Sequence, residues 1–533
     1  MLRGVIAGAV SAVALVCAGS AMAEAPSRAE ALETMKKATT FMVEKVAYNG
    51  GYVWSYTPDL KRRWGELEAK PTMIWVQPPG TGTMGHVFLD AYHATGDEYY
   101  YRAAERAAEA LIWGQKPSGG WHYMIDFGGQ ASMSDWYEKY GKNAWRMEEF
   151  QHDWGNATFD DAGTSEAMQF LLRLYVEKRD PKWRPALEKA VNFVLESQYP
   201  IGGWPQRYPV VPKFDGDYTG YITFNDDVAG ENIKFLIMAY QALGESRALP
   251  AIERAMNSFI VTQQGQPQPG WALQYTVDDL KPAAARSYEP LALATHTTAN
   301  NVAQLMTFYE LTGDKKFLAR VPEALDWLDR VKLAKPRPDG RTHPTFIEIG
   351  TNRPMYVHRR GSNVVNGEYY VDYSDQNTLA HYGAYRKIDV AGMRARYERL
   401  MKSDPTAVSK NSPLKAAELV PLPRYFATRD LETSDLNVRA KDDSPAAVTG
   451  EAARGLVTGL NAEGYWPTPL VATSNPYTGA KPPAKPDGDY SVTHVGDATD
   501  TSPYPDKTPA TGISTGTYIQ NMTTLIDYLD RAR

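Results

Sequence analysis

Apolar residues return every three or four positions in successive stretches of this chain, the spacing of one face of an α-helix. Such a face runs through Val87, Leu89 and Tyr92 to Gly96, then resumes after Asp97 at Ala103, Ala107 and Leu111, before Gly119-Gly120-Trp121. The same order of helix, turn, helix and Gly-Trp segment then recurs. A second copy uses Met168, Leu171, Leu172 and Tyr175. It restarts at Asp180-Pro181, an N-cap followed by proline at the first helical position, and passes Ala186, Ala190 and Val194 to Gly202-Gly203-Trp204. A third uses Ile233, Leu236, Ile237 and Tyr240, then Ala251, Ala255, Phe259 and Gly270-Trp271. A fourth uses Ala303, Leu305 and Phe308, turns at Gly313-Asp314, and continues through Ala324 and Leu328. An earlier pair is predicted over 28–47, ending at Gly50-Gly51-Tyr52. A partial pair is predicted near Gly450–Leu460 and Tyr465-Trp466, and a last helix over Thr517–Leu529.

A helix with one apolar face needs neighbours to cover it. The Gly-Trp landmarks at 119, 202 and 270 are unevenly spaced. Uneven spacing predicts an all-α fold, an α/α barrel or toroid of helical hairpins with variable loops, rather than an open solenoid of uniform repeats. Two segments break the pattern. Residues 402–446 are polar and mixed; residues 467–512, rich in Pro, Thr, Gly and Asp, read as a wrap or loop.

The N-terminus changes the setting. Arg3, an apolar run from Val5 to Cys17 and the small-residue end Ala21-Met22-Ala23 have the layout of a secretory signal peptide cut after Ala23. A secreted or periplasmic protein is therefore expected, with no membrane span after cleavage. The single cysteine, Cys17, lies inside that signal, so the mature chain has no disulfide. With 57 Lys+Arg against 63 Asp+Glu, nothing recommends nucleic acid, which asks for a basic stripe. The 33 tyrosines and 13 tryptophans fill cores and also suit stacking on sugar rings.

Candidate chemistry falls in loops at one mouth of the barrel, where hairpins change direction. Asp160 and Asp161 precede Gly163-Thr164-Ser165-Glu166 at a helix start, where Asp161 or Thr164 could simply cap the helix. Asn225-Asp226-Asp227 also runs into a helix and offers more oxygen than one cap uses. Adjacent oxygen ligands are what Ca²⁺ asks for. A third loop, Lys281 to Glu289, carries Lys281, Arg286 and Tyr288. Its cations could bind uronate carboxylates or pair with Glu289.

Joined together, these segments resemble the family 10 pectate lyases. The resemblance rests on Gly202-Gly203-Trp204-Pro205-Gln206-Arg207-Tyr208-Pro209, on Ile222 to Asp227, and on Asp160-Asp161. Pro282 to Glu289 and Thr351-Asn352-Arg353-Pro354, with Arg359 and Gly361, continue it. It covers about residues 156–390 and implies an (α/α)₃-type barrel, anti β-elimination on polygalacturonate or another acidic plant or algal polysaccharide, and help from Ca²⁺. On this reading residues 24–155 are N-terminal hairpins, 156–400 the lyase-like region and 401–533 an extension packing on the barrel, in a monomer. Metal ligands would be Asp160, Asp161, Asp226 and Asp227. Substrate would meet Trp204, Arg207, Asn225, Lys281, Arg353 and Arg359. The family's base is an arginine, and Thr345 stands at its position; Thr276 stands at an expected aspartate, and Asp375 or Gln376 at an expected arginine. Arg286, Tyr288, His296 and His343 are thus candidates for proton transfer, with Asp226 beside them. Two other readings stay open: a catalytically weakened glycan-binding protein, and a terpene cyclase-like protein, since Gln115-x-x-x-Gly119-x-Trp121 and Gln198-x-x-x-Gly202-x-Trp204 fit that family's Gln-Trp repeat.

Overall fold

The structure, a computed structural model, describes residues 24–141, 150, 153–210, 217–360, 368–376, 378, 383–437, 448–470 and 511–531. The proposed signal at 1–23 and most of the 467–512 segment lie outside the described residues. In chain order the helices are α1 (Arg28–Phe41), α2 (Thr81–Thr95), α3 (Glu98–Trp113), α4 (Gly129–Lys139), α5 (Gly163–Lys178), α6 (Arg184–Ser197) and α7 (Val228–Leu243). There follow α8 (Ala248–Thr262), α9 (Thr295–Thr312), α10 (Val321–Val331), α11 (Val390–Lys402), α12 (Pro405–Val408), α13 (Gly450–Gly459) and α14 (Thr515–Arg531). None of them is long and apolar enough to cross a membrane.

The helices form an α/α toroid. Helices α14, α2, α5 and α7 touch in that order as an inner row, and α9 continues it through the Asn300 amide, which donates to Asp227 at 2.9 Å. Helices α13, α1, α3, α6, α8 and α10 lie outside. After each of α1, α3, α6 and α8 the chain returns along a Gly-Trp or Gly-Tyr turn and a short strand to the start of the next inner helix. The turn is tight enough to demand glycine. At Gly119 and Gly202, with φ of 104° and 107°, a Cβ would come within 2.2 Å of the Lys189 carbonyl and 2.0 Å of the Arg254 carbonyl.

The tryptophan after each turn closes the hairpin from which it came. The indole N–H groups of Trp121, Trp204 and Trp271 donate to the carbonyls of Leu111, Val194 and Phe259 at 2.7, 2.9 and 3.0 Å. Gln115 and Gln198 donate across to Ala186 and Ala251 of the next outer helix, both at 2.9 Å. The Gln-Trp spacing is thus a seal between hairpins.

Two expectations change. The early pair over 28–47 is a single helix, α1, prolonged by a wider turn over Met42–Val46. Its inner neighbour is α14, from the other end of the chain, held by the Thr39 hydroxyl against the Tyr518 hydroxyl at 2.7 Å. Second, the capping reading of Asp161 and Thr164 fails. Residue Ala162 precedes α5 without a side-chain cap, and the Thr164 hydroxyl instead bridges the Trp121 N–H and carbonyl at 2.9 and 3.0 Å.

The lumen between inner helices is polar and is filled from one end by residues 424–437. Buried Asp90 accepts from the backbone N–H groups of Phe426 and Thr428 at 3.0 and 2.7 Å and from the Thr428 hydroxyl at 2.8 Å. Arg173 pairs with Asp90 at 2.6 Å and donates to the Arg424 carbonyl at 2.8 Å. The Phe426 ring stacks on His86, centroids 5.0 Å apart. The backbone of this segment thereby satisfies buried charge.

Candidate functional site

The opposite end of the lumen is built by two copies of one local structure. Residues 157–158 and 222–223 are two-residue strands. Each leads through a phenylalanine and a single 3₁₀ turn into an inner helix. In the first copy Asp161 and Ala162 take left-handed conformations, with φ of 48° and 57°; in the second, Asp226 and Asp227 do, with 52° and 53°. None of the four is glycine, so each costs on the order of 1–3 kcal/mol. The return is that Asp160, Asp161 and Asp226 converge, with carboxylate oxygens all within 4.8 Å of one another.

Each member of this cluster is held differently. Asp160 is fully buried and accepts from the Tyr123 hydroxyl at 2.6 Å, the Arg286 guanidinium at 2.5 Å and the Gln206 amide at 3.3 Å. Arg286 is also ion-paired with buried Glu289 at 2.9 Å. Asp161 is partly exposed and accepts from Gln77 at 2.8 Å; the same amide reaches Glu66 at 2.8 Å. Asp226, also partly exposed, accepts from Asn225 at 2.9 Å, and the Asn225 carbonyl oxygen accepts from Gln274 at 2.6 Å.

These surroundings separate the carboxyls electrostatically. Burial pushes Asp160 upward, but Arg286 and the Tyr123 hydroxyl more than offset it and hold the group below the usual carboxylate range. Burial and the charges of Asp160, Asp226 and Glu66 push Asp161 well above that range. Asp226 is pushed up to about 7 by burial and then by Asp160, with Arg286 partly offsetting both. Arg286 is shared between Asp160 and Glu289, so carboxyl groups outnumber cations here, and Asp161 and Asp226 are partly exposed. All its donors are oxygen, the set that suits a hard divalent cation.

The remaining sequence candidates fall in other places. Asp227 is not in the triad; its carboxylate accepts from Asn300, and burial with the Glu231 charge raises its pKa. His296 lies in the first turn of α9, one helical turn before Asn300 and on the same face. It is partly exposed. Burial, and then the Arg386 cation, hold its imidazole well below its usual pKa, so it is neutral at pH 7. His343 has no solvent exposure; its ring nitrogens meet the Leu328 carbonyl at 3.1 Å and the Thr342 hydroxyl at 2.8 Å, which makes it a brace between its strand and α10.

Several substrate assignments need correction. Trp204 is fully buried and seals α6, so it offers no ring to a sugar. Asn225 is 3% exposed, and both ends of its amide are engaged; it positions Asp226. Tyr288 packs in a small apolar cluster with Leu273, Phe346 and Val357. Arg207, also buried, lies over Tyr123 and Trp154 at 5.3 and 5.9 Å. Lys281 is exposed and paired with Asp279 at 2.6 Å. Arg353 is exposed over the Tyr373 ring at 3.5 Å. The backbone of Arg359 pairs with Tyr369, and its side chain lies outside the described residues. Thr345, at the expected base position, is buried, its hydroxyl donating to the Gly383 carbonyl at 2.7 Å.

Sequence reasoning missed Tyr123, Gln77 and Glu66, which precede the stretch where the resemblance was legible. It also missed Gln274 and Asn300. The one available signal was their spacing, since Tyr123 and Gln77 each lie two residues beyond a tryptophan, Trp121 and Trp75.

Residues 125–385, just under half the chain, match the pattern of the pectic acid lyase family. No match was found among curated proteins. Among solved structures, the family 10 polysaccharide lyase from Cellvibrio cellulosa is 22% identical, over 50% of this chain and 82% of that one, with a TM-score of 0.37. A mutant of that lyase in complex with trigalacturonic acid is 17% identical, over 60% of this chain and 98% of that one, with a TM-score of 0.42. The cellobiose 2-epimerase from Spirochaeta thermophila is 11% identical, over 95% and 98% respectively, with a TM-score of 0.40.

Proposed function

We propose that this protein is an exported polysaccharide lyase that cleaves pectate or a related uronate polymer by β-elimination, aided by Ca²⁺. The observation that carries this reading is the convergence of Asp160, Asp161 and Asp226, two of them partly exposed, in a segment matching the pectic acid lyases. The signal layout of residues 1–23 supports export to the periplasm or the outside.

The residues divide the work as follows. Asp160, Asp161 and Asp226 would hold the cation, with Gln77 and Asn225 fixing the two partly exposed carboxylates. When bound, Ca²⁺ would neutralise a uronate carboxylate and so stabilise the charge that develops as the neighbouring C5 proton leaves. Arg286 keeps Asp160 ionised and holds it in place. His296 is the favoured base, because its imidazole is neutral at pH 7 and lies one turn from the Asn300–Asp227 contact. It takes the C5 proton, the C5–H electron pair becomes the C4=C5 double bond, and the C4–O bond breaks with its pair leaving on oxygen. That oxygen is then protonated, and no water is consumed.

One observation favours a second reading, a glycan-binding protein with weakened catalysis: the expected base position holds buried Thr345, already bonded to Gly383. Incubation with polygalacturonate and a panel of uronate polymers, with Ca²⁺ or EDTA, separates the two. Growth of the ultraviolet absorbance of the conjugated C4=C5 uronate supports the lyase. Binding with neither absorbance nor new reducing ends supports the second reading.

A further inference from the structure

Every tryptophan among the described residues is buried or half-buried except Trp113, the last residue of α3, which is 55% exposed. One face of its indole stacks on the Phe127 ring, centroids 4.4 Å apart and planes 28° from parallel. Tyr48 also packs on Phe127, centroids 5.8 Å apart. More than half of the Trp113 surface remains in solvent.

The position of this stack relative to the acidic cluster gives it meaning. A two-stranded ribbon, Met73–Trp75 against Met124–Asp126, joins them. At its inner end Tyr123 donates to Asp160 and Gln77 donates to Asp161. At its outer end Phe127 follows directly on Asp126, and its N–H donates to the Thr72 carbonyl at 3.1 Å. Phe127 lies four steps along the chain from Tyr123, roughly 13 Å at about 3.3 Å per strand residue. The C-terminus of an outer helix and the N-termini of the inner helices share one end of the toroid, so the stack and the cluster share one face.

We infer that Trp113, backed by Phe127 and Tyr48, is a distal stacking platform for a sugar ring of the same polymer chain whose reacting unit lies at Asp161 and Asp226. A pyranose presents an apolar C–H face that packs flat on an exposed indole, and the stack behind holds the indole flat with little rotamer freedom left to lose. This inference rests on the lyase reading for the identity of the polymer, but its readout is binding. It places the added contact a few sugar units from the reacting bond, so it selects long chains over short ones.

The test is calorimetric titration of the full chain and of Trp113→Ala and Trp113→Tyr with polygalacturonate and, separately, with its trimer, in Ca²⁺. The expected result is a loss of about three- to tenfold in affinity for the polymer in Trp113→Ala, the equivalent of one stacking contact. Trp113→Tyr should retain most of it, and trimer affinity should be unchanged. Because Trp113 is exposed, its truncation leaves the fold intact, which the thermal midpoint checks. Equal polymer affinity in the full chain and Trp113→Ala overturns the inference and leaves the lyase reading standing. Failure of the unaltered protein to bind either ligand overturns the uronate reading, and this inference with it.

Discussion

The two ends of the toroid lumen both bury carboxylates beside an arginine, yet they are opposite in kind. At the floor, Asp90 meets Arg173 at 2.6 Å and takes two backbone N–H groups and a hydroxyl from the 424–437 segment. Every oxygen is answered, and the segment seals the place. At the mouth, Arg286 is shared between Asp160 and Glu289 while Asp161 and Asp226 stand against their neighbours. Their backbone sits in the left-handed region to hold them there. A buried charge that is fully answered is structure; carboxyls strained into convergence and left partly exposed are a site.

Substitutions at the two ends break the comparison in different ways. Asp90→Ala strands the Arg173 cation and frees the 424–437 segment, so unfolding free energy should fall by about 3–5 kcal/mol in denaturant titration. Elimination per folded molecule should be little changed. Asp226→Asn should do the reverse. It relieves repulsion, so the cation-free protein keeps or gains stability, while turnover of polygalacturonate drops about a hundred- to a thousandfold. His296→Gln tests the base more narrowly: turnover should fall by about a hundredfold or more with Ca²⁺ affinity retained. If calorimetry shows Ca²⁺ affinity falling with turnover, His296 is a ligand-side residue and not the base.

A smaller effect sharpens the same contrast through pH. The Asp226 carboxyl is raised from 3.8 to about 7 in the folded protein, so between those values the folded state binds more protons than the unfolded one. Stability of the EDTA-treated protein should therefore fall as pH rises from about 4 to about 7, read as a declining thermal midpoint. Added Ca²⁺ should reverse the decline near neutrality, because it takes the place of the proton. Asp226→Asn should flatten the slope in this window.

The outer and inner helices were legible because a 3.6-residue apolar period, with Gly-Trp turns between, leaves a strong local trace. The partner of α1 was not, since α14 comes from the far end of the chain and no local pattern announces a pairing of that range. The lumen floor was hidden for a related reason. Its charges are answered largely by the backbone of 424–437, which carries no side-chain signature. At the mouth, the Asp-Asp and Asn-Asp-Asp runs were visible as oxygen-rich, but their left-handed turns were not, because no glycine marks them. Trp204 was misread because a tryptophan beside glycine can stack or seal; Gln198, four residues before Gly202, was the sign that it seals.

The most direct test falls on the crowded carboxyls of Asp161 and Asp226. Calcium titration calorimetry of the unaltered protein and of Asp226→Asn at pH 7, each in two buffers of different ionisation enthalpy, measures both the affinity and the protons released. Binding with net release of protons from the raised Asp161 and Asp226 carboxyls, both lost in Asp226→Asn, is the expected result. No calcium binding in the unaltered protein, or binding that Asp226→Asn leaves unchanged, would contradict it.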